Sequence, residues 1–168
     1  MKTLKEKLVQ EGLIKRQAGA VDLRTKIEVW LKEHDIENYI INDDLTIDIN
    51  GSVDLRSRKE ERLPEYIQFG KVTGNFYIFY CPELESLEGC PKEVDWDFYC
   101  YKCSKLESLK GAPNEVGGDF WCNDCANLKS LEGCPKKVGK GFWCYGCGKQ
   151  FTESDVKKVC KVKGMIIA

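Results

Sequence analysis

"FYCYKCSKLESLKGAPNEV" (98–116) returns 22 residues later as "FWCNDCANLKSLEGCPKKV" (120–138). The same stretch precedes it as "FYIFYCPELESLEGCPKEV" (76–94), and follows in broken form as "FWCYGCGKQFTESDVKKVC" (142–160). Phe76, Phe98, Phe120 and Phe142 are each 22 apart, as are Cys81, Cys103, Cys125 and Cys147. Leu84, Leu106 and Leu128, then Leu87, Leu109 and Leu131, then Pro91, Pro113 and Pro135 keep the same period. A fixed period of this length marks stacked supersecondary units, one turn of a solenoid each. In a strand, alternate side chains face opposite sides. Phe98 and Cys100 therefore face the interior, and Tyr99 and Tyr101 face out.

Within a unit, Phe98, Cys100, Cys103, Leu106 and Leu109 read F-x-C-x-x-C-x-x-L-x-x-L. This resembles the leucine-rich repeat, L-x-x-L-x-L-x-x-N/C-x-L, with Phe and Cys standing where Leu is usual. Cys103 takes the position where that family places Asn or Cys, and "LxxLxGxPxxV" resembles the proline-bearing return of the short bacterial variety. The resemblance covers residues 63–151 and implies one parallel strand per repeat. The expected fold is α+β: a short leucine-rich-repeat-like solenoid. It has an N-terminal cap of helices and hairpin (1–62), about four repeats (63–151) and a C-terminal capping helix and tail (152–168). Short proteins of this look are also familiar from phage and gut-bacterial genomes.

The cysteines admit two readings. Cys100, Cys103, Cys122 and Cys125 fit C-x2-C-x18-C-x2-C, which is zinc-ribbon spacing, and Cys144 with Cys147 adds a third pair. Yet the gap between pairs is the repeat length minus four. The repeat explains the Phe, Leu and Pro columns as well, and Ile78 stands where later units have Cys, which packing tolerates and ligation does not. A small, soft side chain stacks well in an interior column whose layers are ~4.8 Å apart. Cys90 and Cys134 share their column with Ala112, so that column asks for a small residue. Packing is the favoured reading, with no cofactor; a metal at the Cys pairs is the alternative.

The outward columns are Tyr77, Tyr99, Trp121 and Trp143, then Phe79, Tyr101, Asn123 and Tyr145. Aromatic side chains at seven of these eight strand positions make a contiguous apolar face, which marks an interaction site on a soluble protein. It is also the binding face that the resemblance implies. Three other uses compete for the same residues: cover by the N-terminal segment, a homodimer contact, and a ladder that only stabilises the sheet. Bases also stack on aromatic platforms. However, Lys102, Lys105, Lys140 and Lys149 near the face have Asp95, Asp97, Asp119 and Asp124 next to them, and the formal charge of −1 gives no pull toward nucleic acid.

In the flanks, Leu4, Leu8 and Leu13 make residues 3–14 a short amphipathic helix, and "RQAGA" (16–20) breaks it. Leu23, Ile27, Trp30 and Leu31 in "VDLRTKIEVWLKEHD" (21–35) predict a second helix. "NYIINDDLTIDINGSVDL" (38–55) reads as strand–turn–strand–turn–strand, and "VDLRSRKEERLPEYI" (53–67) as a degenerate first coil. Thr152 with Asp155 forms an approximate capping box ahead of Val156, Val159 and Cys160.

The start "MKTLKEKLVQEG" (1–12) lacks a continuous apolar stretch and no segment reaches the roughly 18 residues of a membrane helix. A cytoplasmic, reducing location is therefore expected, where ten cysteines are thiols or metal ligands before they are disulfides. His34 is the sole histidine, expected exposed at a helix C-terminus, and no phosphate loop, H-E-x-x-H or G-x-S-x-G occurs. The chain is expected to be non-enzymatic. It is expected to bind another protein, host-derived if the chain is phage-encoded, or a second copy of itself. Nucleic acid enters only through a nucleoprotein partner, and no membrane is involved. The phage-like look suggests an antagonist of a host enzyme or defence complex, such as an anti-CRISPR, acting in the host cytoplasm. The alternatives are a zinc-containing nucleic-acid binder and a homodimerising structural protein.

Overall fold

Each 22-residue unit builds two short strands and the turns that join them. The computed structural model describes residues 22–168, so the helix expected over 3–14 lies outside the described residues. The chain runs α1 (Leu23–Glu33), β1 (Tyr39–Ile41), β2 (Ile47–Ile49), β3 (Val53–Asp54), β4 (Phe69–Val72), β5 (Phe76–Tyr77), β6 (Glu93–Val94) and β7 (Phe98–Tyr99). It continues through β8 (Glu115–Val116), β9 (Phe120–Trp121), β10 (Lys137–Val138), β11 (Phe142–Trp143), α2 (Glu153–Val159), β12 (Lys161–Val162) and β13 (Ile166–Ile167).

These strands form two sheets, β1-β2-β4-β6-β8-β10-β12 and β13-β11-β9-β7-β5-β3. All neighbours are parallel except β1 and β2. The result is a β-solenoid of about six turns, one for each strand of the second sheet. The strand expected at F-x-C is the second sheet, with Phe98 paired to Phe76 and Phe120. The first sheet, built on Glu-Val and its equivalents, is an addition to the one strand per repeat that the sequence suggested. Helix is confined to α1 and α2 among the described residues, so the α+β expectation gives way to a β-solenoid carrying two short helices. None of the described helices is long and apolar enough to cross a membrane.

Inside, identical residues stack on identical residues. Phe76, Phe98, Phe120 and Phe142 are fully buried. The first three lie nearly parallel, with centroids 5.5 Å apart at 5° and 7°. Cys100, Cys122 and Cys144 fill the next inward column, and Leu106, Leu109 and Leu128 close the third side. Val94, Val116 and Val138 are the inward residues of the first sheet.

The turns are held by sulfur. The Cys103 thiol donates to the Ile78 carbonyl at 3.3 Å, Cys125 to Cys100 at 3.3 Å and Cys147 to Cys122 at 3.2 Å. Each of these cysteines follows a residue in the left-handed region: Lys102, Asp124 and Gly146 have φ of 55°, 56° and 66°. At Gly111 φ is +91° and a Cβ would overlap the backbone of Leu87 and Glu88, so the loop into the first sheet requires glycine.

Both ends differ from a simple cap. Ile27, Trp30 and Leu31 of α1 are buried, and Trp30 meets Phe69 edge-on with centroids 6.3 Å apart. The hairpin β1–β2 forms, but β2 already pairs with β4 and β3 with β5, so coil stacking begins at Ile47. At the other end Thr152 and Asp155 make a complete capping box for α2. Val156 and Cys160 are buried, whereas Val159 is 49% exposed. The helix is not the last layer: β12 and β13 follow it and extend both sheets by pairing with β10 and β11. It occupies the side of the coil that leucine turns occupy elsewhere.

Candidate functional site: an aromatic ladder on the second sheet

Strand alternation places Tyr77, Tyr99, Trp121 and Trp143 on the outer face of the second sheet, with register pairs Tyr77–Tyr99, Tyr99–Trp121 and Trp121–Trp143. Because equal positions repeat every coil, the rings stack. Their centroids are 5.0, 6.1 and 4.3 Å apart, at 17°, 16° and 2° between planes. Phe79 stacks on Tyr101 at 4.6 Å and 11°. The rings thus spend their faces on one another and turn their edges to solvent. All six are half-buried for that reason. Edges carry the positive end of the ring quadrupole, suiting carbonyls, carboxylates and other ring faces.

The second outward column is broken at Asn123. It was expected among the exposed residues, yet it is 4% exposed. Its Nδ2 donates to Asp124 Oδ2 at 2.8 Å, and its Oδ1 has no hydrogen-bond partner. Tyr145, one coil on, is 39% exposed and is the most open ring of the two columns. Arg56 bounds the ladder at the N-terminal side, 6.0 Å from Tyr77 and 5.8 Å from Phe79. It is fixed by a paired contact with Asp54.

A polar ladder that the sequence did not single out borders the aromatic one. Asn75 Oδ1 accepts from the Asp97 amide at 2.9 Å, Asp97 Oδ1 from the Asp119 amide at 2.7 Å, and Asp119 Oδ1 from the Gly141 amide at 2.6 Å. Tyr99 donates its hydroxyl to Asp97 Oδ2 at 3.0 Å. Burial, and then that hydrogen bond, raise the Tyr99 pKa. The indole N–H groups of Trp121 and Trp143 are buried without acceptors. The signal for this ladder was present in the sequence: Asn75, Asp97 and Asp119 also keep the period of 22. Trp96, at the corner between the sheets, is 59% exposed and lies 5.9 Å from the Lys140 ammonium.

The cysteine pairs take interior positions. Cys100, Cys103, Cys122 and Cys125 are fully buried, Cys144 is 1% exposed and Cys147 is half-buried. Burial pushes the Cys100 and Cys122 thiols well up, Cys125 and Cys144 to about 12 and Cys134 to about 11. Contact between Cys81 and Cys103 raises the Cys103 thiol and lowers that of Cys81. Among the described residues no three of His, Cys, Asp or Glu converge as a metal-holding group.

His34 is half-buried rather than exposed. Its ring stacks on Trp30 at 3.9 Å and its Nδ1 lies 2.7 Å from the Trp30 carbonyl oxygen. Burial lowers its pKa. It borders a cavity of about 330 Å³ between α1 and the first coils, lined also by Leu55, Leu63, Ile78 and Leu84.

Compared with known proteins, the chain matches no family model, no curated protein and no solved structure.

Proposed function

We propose that the chain is a non-enzymatic recognition module that binds another protein through the edges of its aromatic ladder. The observation that carries this reading is the pair of outward columns: rings held rigid by stacking, half-exposed, and ending in the open Tyr145. Stiff aromatic anchors lose little conformational freedom on binding and dominate protein interfaces. The ring faces are occupied, so a base-stacking platform has little surface to work with. The plainest activity of such a module is occlusion: it covers a functional surface of its partner, as an inhibitor does. A phage-encoded antagonist of a host enzyme or defence complex would act this way in the host cytoplasm.

The test is affinity capture from cells with the intact chain and with Tyr101→Lys/Tyr145→Lys, after circular dichroism shows that both are folded. The reading expects partners retained by the intact chain to be lost by the variant. Equal retention by both would remove the ladder from the interface.

A further inference from the structure

The outer face of the first sheet carries charge in an order that complements itself. One column contains Glu93, Glu115, Lys137 and Lys161, held in register by β6–β8, β8–β10 and β10–β12 pairing. Two residues further along each strand, the amides of Asp95, Gly117, Gly139 and Lys163 each donate to the preceding coil, at 3.0, 2.8, 2.8 and 3.0 Å. They form a second column. Together these residues line a shallow groove of about 490 Å³. A Cβ at Gly117 would overlap the Asp95 carbonyl, and one at Gly139 the Gly117 carbonyl. The middle of the second column is therefore bare backbone, open to close approach.

Over the four coils that line the groove the early half is acidic and the late half basic, with Lys71 preceding Glu93 in the first column. The chain as a whole follows suit: residues 133–168 hold eight lysines against two acids, whereas residues 1–132 hold 18 bases against 25 acids. Within the chain, Lys71 pairs with Asp95 at 2.9 Å and Lys137 with Glu115 at 2.6 Å. All four side chains are 43–62% exposed, so neither pair adds much alone. Glu93, Lys161 and Lys163 make no ion pair among the described residues.

We propose that this face docks a second copy of the chain, with solenoid axes antiparallel about a two-fold axis lying along the strands between β8 and β10. That rotation keeps each column over itself and reverses the order of coils. Glu93 then faces the partner's Lys161, Asp95 the partner's Lys163, Glu115 the partner's Lys137, and Gly117 the partner's Gly139. Every pair is opposite in charge or free of side chains, and each occurs twice, as an isologous interface requires. Lys71, the member of the column before Glu93, passes beyond the partner's described coils. The aromatic ladder lies on the other sheet, so the dimer displays two ladders and binds a repeated target with avidity. The proposal stands whether or not the ladder binds protein.

The test is charge reversal with mixing, read by sedimentation and native mass spectrometry. The intact chain is expected to dimerise at ~50 mM salt and to dissociate toward ~500 mM, as exposed charges are screened. Lys161→Glu/Lys163→Glu sets acid against acid, and Glu93→Lys/Asp95→Lys sets base against base. Each alone is expected to weaken the dimer at least about a hundredfold. An equimolar mixture restores complementarity at both contacts and should form the heterodimer, an outcome that misfolding of either variant could not produce. Failure of the mixture to associate would overturn the proposal. So would an intact chain that stays monomeric at low salt; if it then bound a single-stranded oligonucleotide, the lysines would belong to a polyanion site.

Discussion

Trp121 and Trp143 lie with indole planes 2° apart and centroids at 4.3 Å, one directly over the other on successive coils. The pairing follows from the repeat, because residues 22 apart occupy the same place in adjacent turns. Each aromatic pair adds ~0.5–1.5 kcal/mol beyond the area it buries. Trp121 stacks on two sides, against Tyr99 and Trp143, so Trp121→Ala is expected to cost about 2–4 kcal/mol. The stacked indoles should also give an exciton couplet in circular dichroism that either Trp→Ala substitution abolishes. A spectrum unchanged by Trp143→Ala would show that the rings are not stacked in solution.

The interior ladder predicts a steeper loss. Phe98 and Phe120 are fully buried and parallel, each pinned between two like neighbours. Phe120→Ala should cost ~3–5 kcal/mol, a large share of the 5–15 kcal/mol that a domain commands. Phe120→Leu keeps most of the volume and should cost roughly half as much or less. Urea unfolding of both variants measures the difference; near-equal losses would mean the column tolerates voids.

The repeat register was legible in the sequence because it is written in many columns at once. Phe98, Cys100, Cys103, Leu106 and Leu109 are all buried where the alternation and the period place them. The first sheet was not legible, for a physical reason. Two-residue strands such as Glu115–Val116 are too short to show alternation, and the inward Val116 stands beside Gly117 and Gly118, which read as turn. The orientation of the aromatic rings was equally hidden. Sequence fixes which residues share a column, but whether rings in a column offer faces or edges depends on the ~4.8 Å layer spacing and the side-chain torsions. Asn123 shows the same limit: its register position is outward, yet its environment buries it.

The sulfur ladder gives a third expectation. Cys125 donates to the Cys100 carbonyl at 3.3 Å from a fully buried position. Cys125→Ala leaves that carbonyl without this donor and opens a small void, for an expected loss of about 1–2 kcal/mol. Cys125→Ser keeps a donor of similar size and should fall between alanine and the native residue. A serine variant worse than alanine would show that the thiol acts only as an apolar filler.

Alkali separates packed thiols from metal thiolates. Cys125 and Cys144 are pushed up to about 12 by burial, and Cys100 and Cys122 are also raised. An unfolded thiol ionises near ~8.5, so above that pH the unfolded chain binds fewer protons than the folded one. The stability from keeping these groups neutral is therefore complete below about pH 8.5 and falls as pH rises toward the folded values. Each such thiol steepens the fall by up to about 1.4 kcal/mol per pH unit. Zinc thiolates would behave in the opposite sense: deprotonated when folded, they would lose stability on acidification and on chelation. Urea melts from pH 6 to about 10.5, with and without chelator, decide between the two. Packing expects a level stability below about pH 8.5, a steep decline above it and no response to chelator. A chelator-sensitive protein that weakens as pH drops from 7 to ~5 would place a metal among the cysteines and overturn the interior-column account.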